Sequence, residues 1–351
     1  MAQYQSQHAS SSSSSLAPLH HGGRLRQASI QWDIPIHQWV DLSTGIAPFS
    51  YPFSPPPSNC WERLPEEDDE LQTVAQKYYE LREDQSLLPV AGSQAAIQAL
   101  PRLRTPCLVA VQVPSYAEHL RAWHRESHQV RTFSPESLDD VATNADVVVV
   151  INPNNPTGHR HSSDKLLAVA HKLNRRGGWL VIDEAFADVD PTGSLISNVG
   201  ANCPSLIVLR SLGKFFGLAG ARVGFVIGPA SLLTILGDQL GPWSIAHPCR
   251  HVAVQALTDQ PWQFNQRRRL VQASQRLAAI LASFGLKGNT TSSLFHYIPR
   301  NDAARLHHAL ARQGILTRLF DSPPALRIGL PGDEEQWQRL SFALDHIDHH
   351  P

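Results

Sequence analysis

Lys214 stands in Ser211-Leu-Gly-Lys214-Phe-Phe-Gly-Leu-Ala-Gly220-Ala-Arg222-Val-Gly224, just past the apolar run Leu206–Leu209. An amine in a small, apolar neighbourhood loses part of its preference for the charged form, which frees it for carbonyl chemistry. Ser211 and Arg222 flank it, and both side chains can address a phosphate. Asn152-Pro-Asn-Asn155-Pro-Thr-Gly158 follows the run Val147–Ile151 as a rigid turn that points Asn155 into the crevice at the strand's end. Asp183 closes a third apolar run in Val181-Ile-Asp183-Glu-Ala-Phe186, where a carboxylate needs a partner. In Val90-Ala-Gly92-Ser93-Gln94-Ala95-Ala96 a turn opens a helix, and free backbone N–H groups there make an anion site. Taken singly, each has a plain structural reading: a solvated lysine, a Pro/Asn turn, an aspartate capping a helix.

Together these parts suit one cofactor, pyridoxal phosphate. It needs a lysine to condense with its aldehyde, a carboxylate on its ring nitrogen, a donor to its phenolate oxygen and a phosphate cup. Lys214, Asp183 and Asn155 supply the first three, and Ser93, Gln94 and Ala95 with Ser211 and Arg222 supply the cup. In order and spacing these motifs resemble the fold-type I, class I and II aminotransferase superfamily, over roughly Pro89 to Gly224. The resemblance implies that Tyr116, in Val113-Pro-Ser-Tyr116-Ala-Glu118, stacks on the pyridine ring. It implies that Arg327, in Leu326-Arg327-Ile-Gly329, holds the substrate carboxylate through its two-pronged guanidinium. It also implies a homodimer with the active site at the subunit interface. Two departures stand out. Phe186 replaces the tyrosine usual in histidinol-phosphate aminotransferases, and Leu64-Pro65-Glu66 replaces a tyrosine-proline pair that reaches the neighbouring subunit's cofactor phosphate.

The N-terminal region narrows the resemblance. His21-Gly-Gly-Arg24 and Asp41-Leu-Ser43-Thr44-Gly45-Ile-Ala-Pro48 are similar to the HGG and D-[FL]-S-x-x-I-x-P segments of the threonine-phosphate decarboxylase branch, as are the DEAF and AGSQAAI variants. The likeness then runs from His20 to about Leu330. It implies decarboxylation of L-threonine O-3-phosphate to (R)-1-amino-2-propanol O-2-phosphate, a step of cobalamin biosynthesis. His21, Ser43, Thr44 and Arg318 are the spare cations and donors that suit the substrate's phosphate. In this chemistry the bond at Cα held perpendicular to the ring is the one that breaks, so two alternatives remain. One is a histidinol-phosphate-type aminotransferase; the other is a non-catalytic binding protein on the same fold.

The elements that must position these residues are short β-rich runs, Leu108–Val113, Val147–Ile151, Trp179–Ile182, Leu206–Leu209 and Val223–Ile227. Helical stretches such as Ser93–Leu100 and Asp164–Arg175 alternate with them. That rhythm predicts an α/β fold with a mostly parallel sheet covered on both faces. The last third predicts a long helix over Trp262–Phe284, strands at Leu294–Ile298 and Ala325–Leu330, and a helix at Ala303–Gln313. The expected organisation is a disordered serine-rich tail (1–19), an N-terminal segment joining the small domain (20–50), a large cofactor domain (51–255) and a small α+β domain (256–351). The fold-type I architecture of the resemblance has the same large α/β/α layer and small α+β domain.

Composition sets the outer limits. At 42% apolar residues, the 351-residue chain can bury a sizeable core. Its 30 lysines and arginines balance 31 aspartates and glutamates, which gives no broad surface for nucleic acid or an anionic membrane. No apolar run approaches a membrane span, and the N-terminus lacks the apolar core of a signal peptide. Four well-separated cysteines argue against a disulfide framework and for a reducing cytoplasm. The 18 histidines read as structural or solvated, and no metal is expected. The expected partner is a small phosphorylated amino acid.

Overall fold

The computed structural model describes residues 19–348 apart from 20, 201–202 and 289–291. The predicted tail, 1–19, falls almost wholly outside the described residues. Twelve strands organise the rest: β1 (Val40–Asp41), β2 (Ser86–Val90), β3 (Leu108–Gln112), β4 (Gln129–Phe133), β5 (Val147–Ile151), β6 (Trp179–Asp183), β7 (Leu206–Ser211), β8 (Gly224–Gly228), β9 (Phe295–Pro299), β10 (Ile315–Leu316), β11 (Arg318–Asp321) and β12 (Pro324–Gly329).

A central seven-stranded sheet has the order β2-β8-β7-β6-β5-β3-β4. Neighbours from β7 through β4 pair in parallel, while β8 is antiparallel to both β2 and β7. Successive residues of a strand face opposite sides, so continuous apolar runs bury both faces. Val148, Val150, Leu180, Ile182 and Val208 face one layer of core with Leu166, Val169 and Leu173 of the helix Ser163–Asn174. Val147, Val149, Val181, Ile207 and Leu209 face another, against Ile97, Trp123, Leu233 and Leu236. The sheet is thus sandwiched by helices, as the rhythm of the sequence predicts.

β2 and β4 have no counterpart in the sequence reading, and both are edge strands. Pro89 within β2 lacks an N–H and fits only an edge. β4 is largely exposed and has no apolar run. A helix spans Leu71–Tyr78, and the long one predicted over Trp262–Phe284 spans Gln260–Ser283. A further helix, Glu334–Asp348, follows β12.

The last third builds an antiparallel sheet, β11-β12-β9, with the helix Ala303–Arg312 packed on it. β1 pairs in parallel with β10, Val40 beside Ile315 and Asp41 beside Leu316, which ties the N-terminal segment to the C-terminal third. No helix among the described residues is long and apolar enough to cross a membrane.

Candidate active site

β2, β3, β5, β6 and β7 all run the same way, so their carboxyl ends share one edge of the sheet. The turn after β2 carries Gly92–Ser93, the segment after β3 carries Tyr116, and Asn155 follows β5. Asp183 ends β6, and Ser211 ends β7 just before Lys214. β8 runs the other way, so its entry, preceded by Arg222, starts at that same edge. This single reversed strand is what brings Arg222 to the others. Ser93, Gln94, Tyr116, Asn155, Asp183, Phe186, Ser211, Lys214 and Arg222 line one cavity there.

Lys214 Nζ lies 5.7 Å from the centroid of the Phe186 ring. Burial is the first cause that lowers its pKa; Arg327 and Arg222 add to it and Asp183 opposes, which leaves it at about 8. Asp183 is buried, and both its oxygens are held. Oδ2 is 3.0 Å from His119 Nε2, and Oδ1 accepts the Ala185 amide at 3.0 Å. His119 lies three residues past Tyr116, one helical turn along the same face, and its ring meets the Tyr116 ring edge-on at 6.4 Å. The sequence reading missed His119; the signal was that spacing beside an aromatic already singled out. Tyr116 donates its hydroxyl to Gln94 Oε1 at 3.1 Å, and burial pushes its phenol up to about 12.

Gly92 adopts φ 73°, and a β-carbon on it would lie 2.7 Å from Arg222 Nη2. A β-carbon on Gly224 would meet the Ser93 nitrogen at 2.5 Å. The turn and the arginine therefore approach as only glycine permits, forming a narrow cationic cup. Ala95 does not border the cavity: its amide donates to the Gly92 carbonyl at 3.0 Å, inside the first helical turn. Of the residues expected in the cup, Ser93, Gln94, Ser211 and Arg222 border the cavity.

A second group of predicted residues lies beside this cavity. Arg327 is buried and donates through Nη1 to Asn155 Oδ1 and through Nη2 to the Ser43 carbonyl at 2.6 Å. With its oxygen so taken, Asn155 keeps its amide N–H groups as donors. Arg327 Nε has no hydrogen-bond partner, and among the described residues no carboxylate hydrogen-bonds to this guanidinium. Burial, then Arg318, push its pKa down to about 9 against the pull of Asp41. Arg318 is the cross-strand neighbour of Arg327 in the β11–β12 register. Ser43 is buried, donates to Asp41 Oδ1 at 2.6 Å and accepts the Gly23 amide at 2.7 Å, and Thr44 packs over Gly23. His21 Nε2 lies 2.8 Å from Glu118 Oε1, and its ring is 5.8 Å from that of Tyr116. The sequence reading quoted Glu118 without giving it a role. Phe186 packs edge-on against Phe295 at 5.4 Å, and Leu64 is exposed.

This set fits pyridoxal phosphate. The cup matches a phosphate in charge, Asp183 offers a carboxylate already held by two donors, and Lys214 is an amine on the same cavity.

The profile of the family "Aminotransferase class I and II" matches residues 64–345. The chain therefore belongs to the class I and II aminotransferase family. It is 51% identical to the threonine-phosphate decarboxylase of Pseudomonas aeruginosa, over 93% of this chain and 97% of that one. It is 35% identical to the threonine-phosphate decarboxylase of a Sinorhizobium species, over 95% and 99%. Among solved structures, histidinol-phosphate aminotransferase from Sinorhizobium meliloti in complex with pyridoxal-5'-phosphate superposes with a TM-score of 0.78 at 20% identity. That likeness, over 95% of this chain and 99% of that one, confirms the fold.

Proposed function

We propose that this chain is a pyridoxal-phosphate enzyme that decarboxylates L-threonine O-3-phosphate to (R)-1-amino-2-propanol O-2-phosphate, in the cobalamin pathway. The near full-length likeness to two threonine-phosphate decarboxylases supports the substrate. The structural observation that carries the reading is the buried Arg327, with an unpartnered Nε and neutral acceptors only, linked through Asn155 to the lysine cavity. A buried cation so placed calls for an anionic ligand.

The residues take the following roles. Ser93, Ser211 and Arg222 hold the cofactor phosphate, with Gln94 fixing the hydroxyl of Tyr116, which covers the ring. Asp183, steadied by His119, keeps a proton on the ring nitrogen, and Asn155 donates to the phenolic oxygen. Lys214 anchors the cofactor. When bound, the cofactor supplies an electron-accepting ring for the pair left at Cα when the bond to the carboxylate breaks and carbon dioxide leaves. Lys214 Nζ, with its lowered pKa, returns the proton to Cα. Arg327 meets the substrate carboxylate, and His21, Thr44 and Arg318 meet its phosphate; Ser43, whose hydroxyl donates to Asp41 and whose carbonyl accepts Arg327, holds that arginine in place instead.

The division into 20–50, 51–255 and 256–351 is part of this reading; the β1–β10 pairing supports placing the N-terminal segment with the C-terminal part. So are a cytoplasmic setting, supported by four free cysteines, and a homodimer. Trp61, Leu64 and Trp243 are exposed large apolar side chains that a second copy could cover.

Incubating the cofactor-loaded protein with threonine phosphate tests the activity: carbon dioxide release without any added 2-oxoacid is expected. Faster turnover of histidinol phosphate with a 2-oxoacid would hand the reading to the aminotransferase alternative.

A further inference from the structure

Glu118 sits in the first turn of the helix Ala117–Arg125, and its side chain is 13% exposed. Its carboxylate collects three donors from two parts of the chain. Oε1 takes His21 Nε2 at 2.8 Å; Oε2 takes Gln94 Nε2 at 3.2 Å and Gln98 Nε2 at 3.1 Å. Gln94 in turn accepts the Tyr116 hydroxyl at 3.1 Å. At the far end of the same N-terminal stretch, the Gly23 amide is bound to Ser43 Oγ, and the Ser43 carbonyl to Arg327. Residues 21–23 are therefore pinned at both ends, to the helix beside Tyr116 and to the strand region beside Arg327.

We infer that Glu118 is a positioning residue, which is held by Gln94 and Gln98 and fastens His21 over the substrate site. This rests on the proposed reading of His21 as a ligand of the substrate's phosphate. The chemistry favours a carboxylate here over any neutral residue. With Nε2 bound to Glu118, only Nδ1 of His21 is left for a ligand. An imidazole donates from both nitrogens only when it carries both protons. A phosphate oxygen needs a donor, so His21 binds it as the cation, and Glu118 supplies the opposite charge behind the ring. An apolar side chain of similar size would fill the space but leave three donors without an acceptor.

The test compares E118A, E118Q, H21A and the E118A/H21A double variant, all loaded with cofactor. E118A should raise KM for threonine phosphate about tenfold or more, the loss of one charge-assisted contact, while kcat changes less than about threefold. E118Q keeps the volume and one acceptor oxygen, and should fall between wild type and E118A. Because Glu118 acts through His21, the double variant should have the KM of H21A rather than the product of the two effects. Cofactor affinity, read from the visible absorbance, should stay within about twofold throughout. Amide hydrogen exchange over residues 21–32 needs no substrate, and should be faster in both Glu118 variants. Multiplying KM effects, an unchanged exchange rate in E118Q, or a collapse of cofactor affinity would each overturn the inference. If wild type does not turn over threonine phosphate at all, the functional reading fails, and the exchange measurement still decides whether Glu118 fastens the segment.

Discussion

Arg210 and Lys214 lie four residues apart at the end of β7, and both cations are taken largely out of water. Arg210 has two carboxylates against it, Glu184 Oε2 and Asp188 Oδ1, each at 3.3 Å, with the Tyr79 ring 5.0 Å from its guanidinium carbon. Burial alone would lower its pKa, but Asp188 and Glu184 outweigh that and raise it above its ordinary value. Burial lowers Lys214 too, but it has one carboxylate, Asp183, opposed by Arg327 and Arg222, and falls to about 8. Burial therefore does not decide whether a cation is inert or reactive. The balance of charge around it does. One strand end carries a locked structural ion and, a turn later, a poised amine.

Four tests break or sharpen that contrast, from the largest effect down. Lys214→Ala should cost at least about a thousandfold in turnover, because no other group on the cavity can anchor the carbonyl. After borohydride treatment, mass spectrometry should find no cofactor adduct on the variant chain; an adduct on another lysine in the wild type would refute the assignment. Compared in the cofactor-free form, the variant should unfold at no lower temperature than wild type, since it loses a disfavoured charge rather than a pair.

Arg210→Met should have the opposite profile. It strands Glu184 and Asp188 as buried carboxylates and should lower the unfolding free energy by about 3–5 kcal/mol in a urea titration. Adding Glu184→Gln and Asp188→Asn should recover much of that. An unchanged urea midpoint in Arg210→Met would show that the network contributes nothing.

Asp183→Asn keeps the shape of the site but cannot hold the ring proton. Cofactor should still bind, and turnover should fall by about 3–4 kcal/mol of barrier, as when one preorganised electrostatic group is removed. Near-normal turnover would remove Asp183 from its role.

The smallest effect is on titration. In cofactor-free protein, reductive methylation of Lys214 should be half-maximal near pH 8, well below exposed lysines. Arg327→Met removes a cation facing it and should move that midpoint upward. Between pH 8 and 10.5 the unfolded chain, with its ordinary lysine, holds the more protons. Stability of the cofactor-free protein should therefore rise with pH across that window, and Lys214→Met should flatten the rise. A Lys214 midpoint at the ordinary value would contradict the charge balance drawn above.

Much of this was legible in the chain. β5, β6 and β7 are continuous apolar runs, so their identity and burial on both faces follow from composition alone. The residues at or just past their ends are chemically unusual for those places, which is why Asn155, Asp183 and Lys214 could be named before any geometry. β2 and β4 were illegible because edge strands need no apolar pattern and tolerate proline. A run of amides opening a helix does not say which of them turn inward; the Ala95 amide donates to the Gly92 carbonyl.

His119, Glu118 and the Arg210 network mark where sequence ends. Each depends on a partner 22 to 97 positions away, and separation along the chain carries no information about distance in space. The sequence determined which groups were available: one amine in a glycine-rich turn, carboxylates at strand ends, arginines on late strands. Tertiary structure alone decided their states, because a pKa depends on how many opposite charges lie within a few ångströms, and that count is set by how strands and helices pack. Arg210 and Lys214 differ in just this respect, though only three residues separate them in the chain.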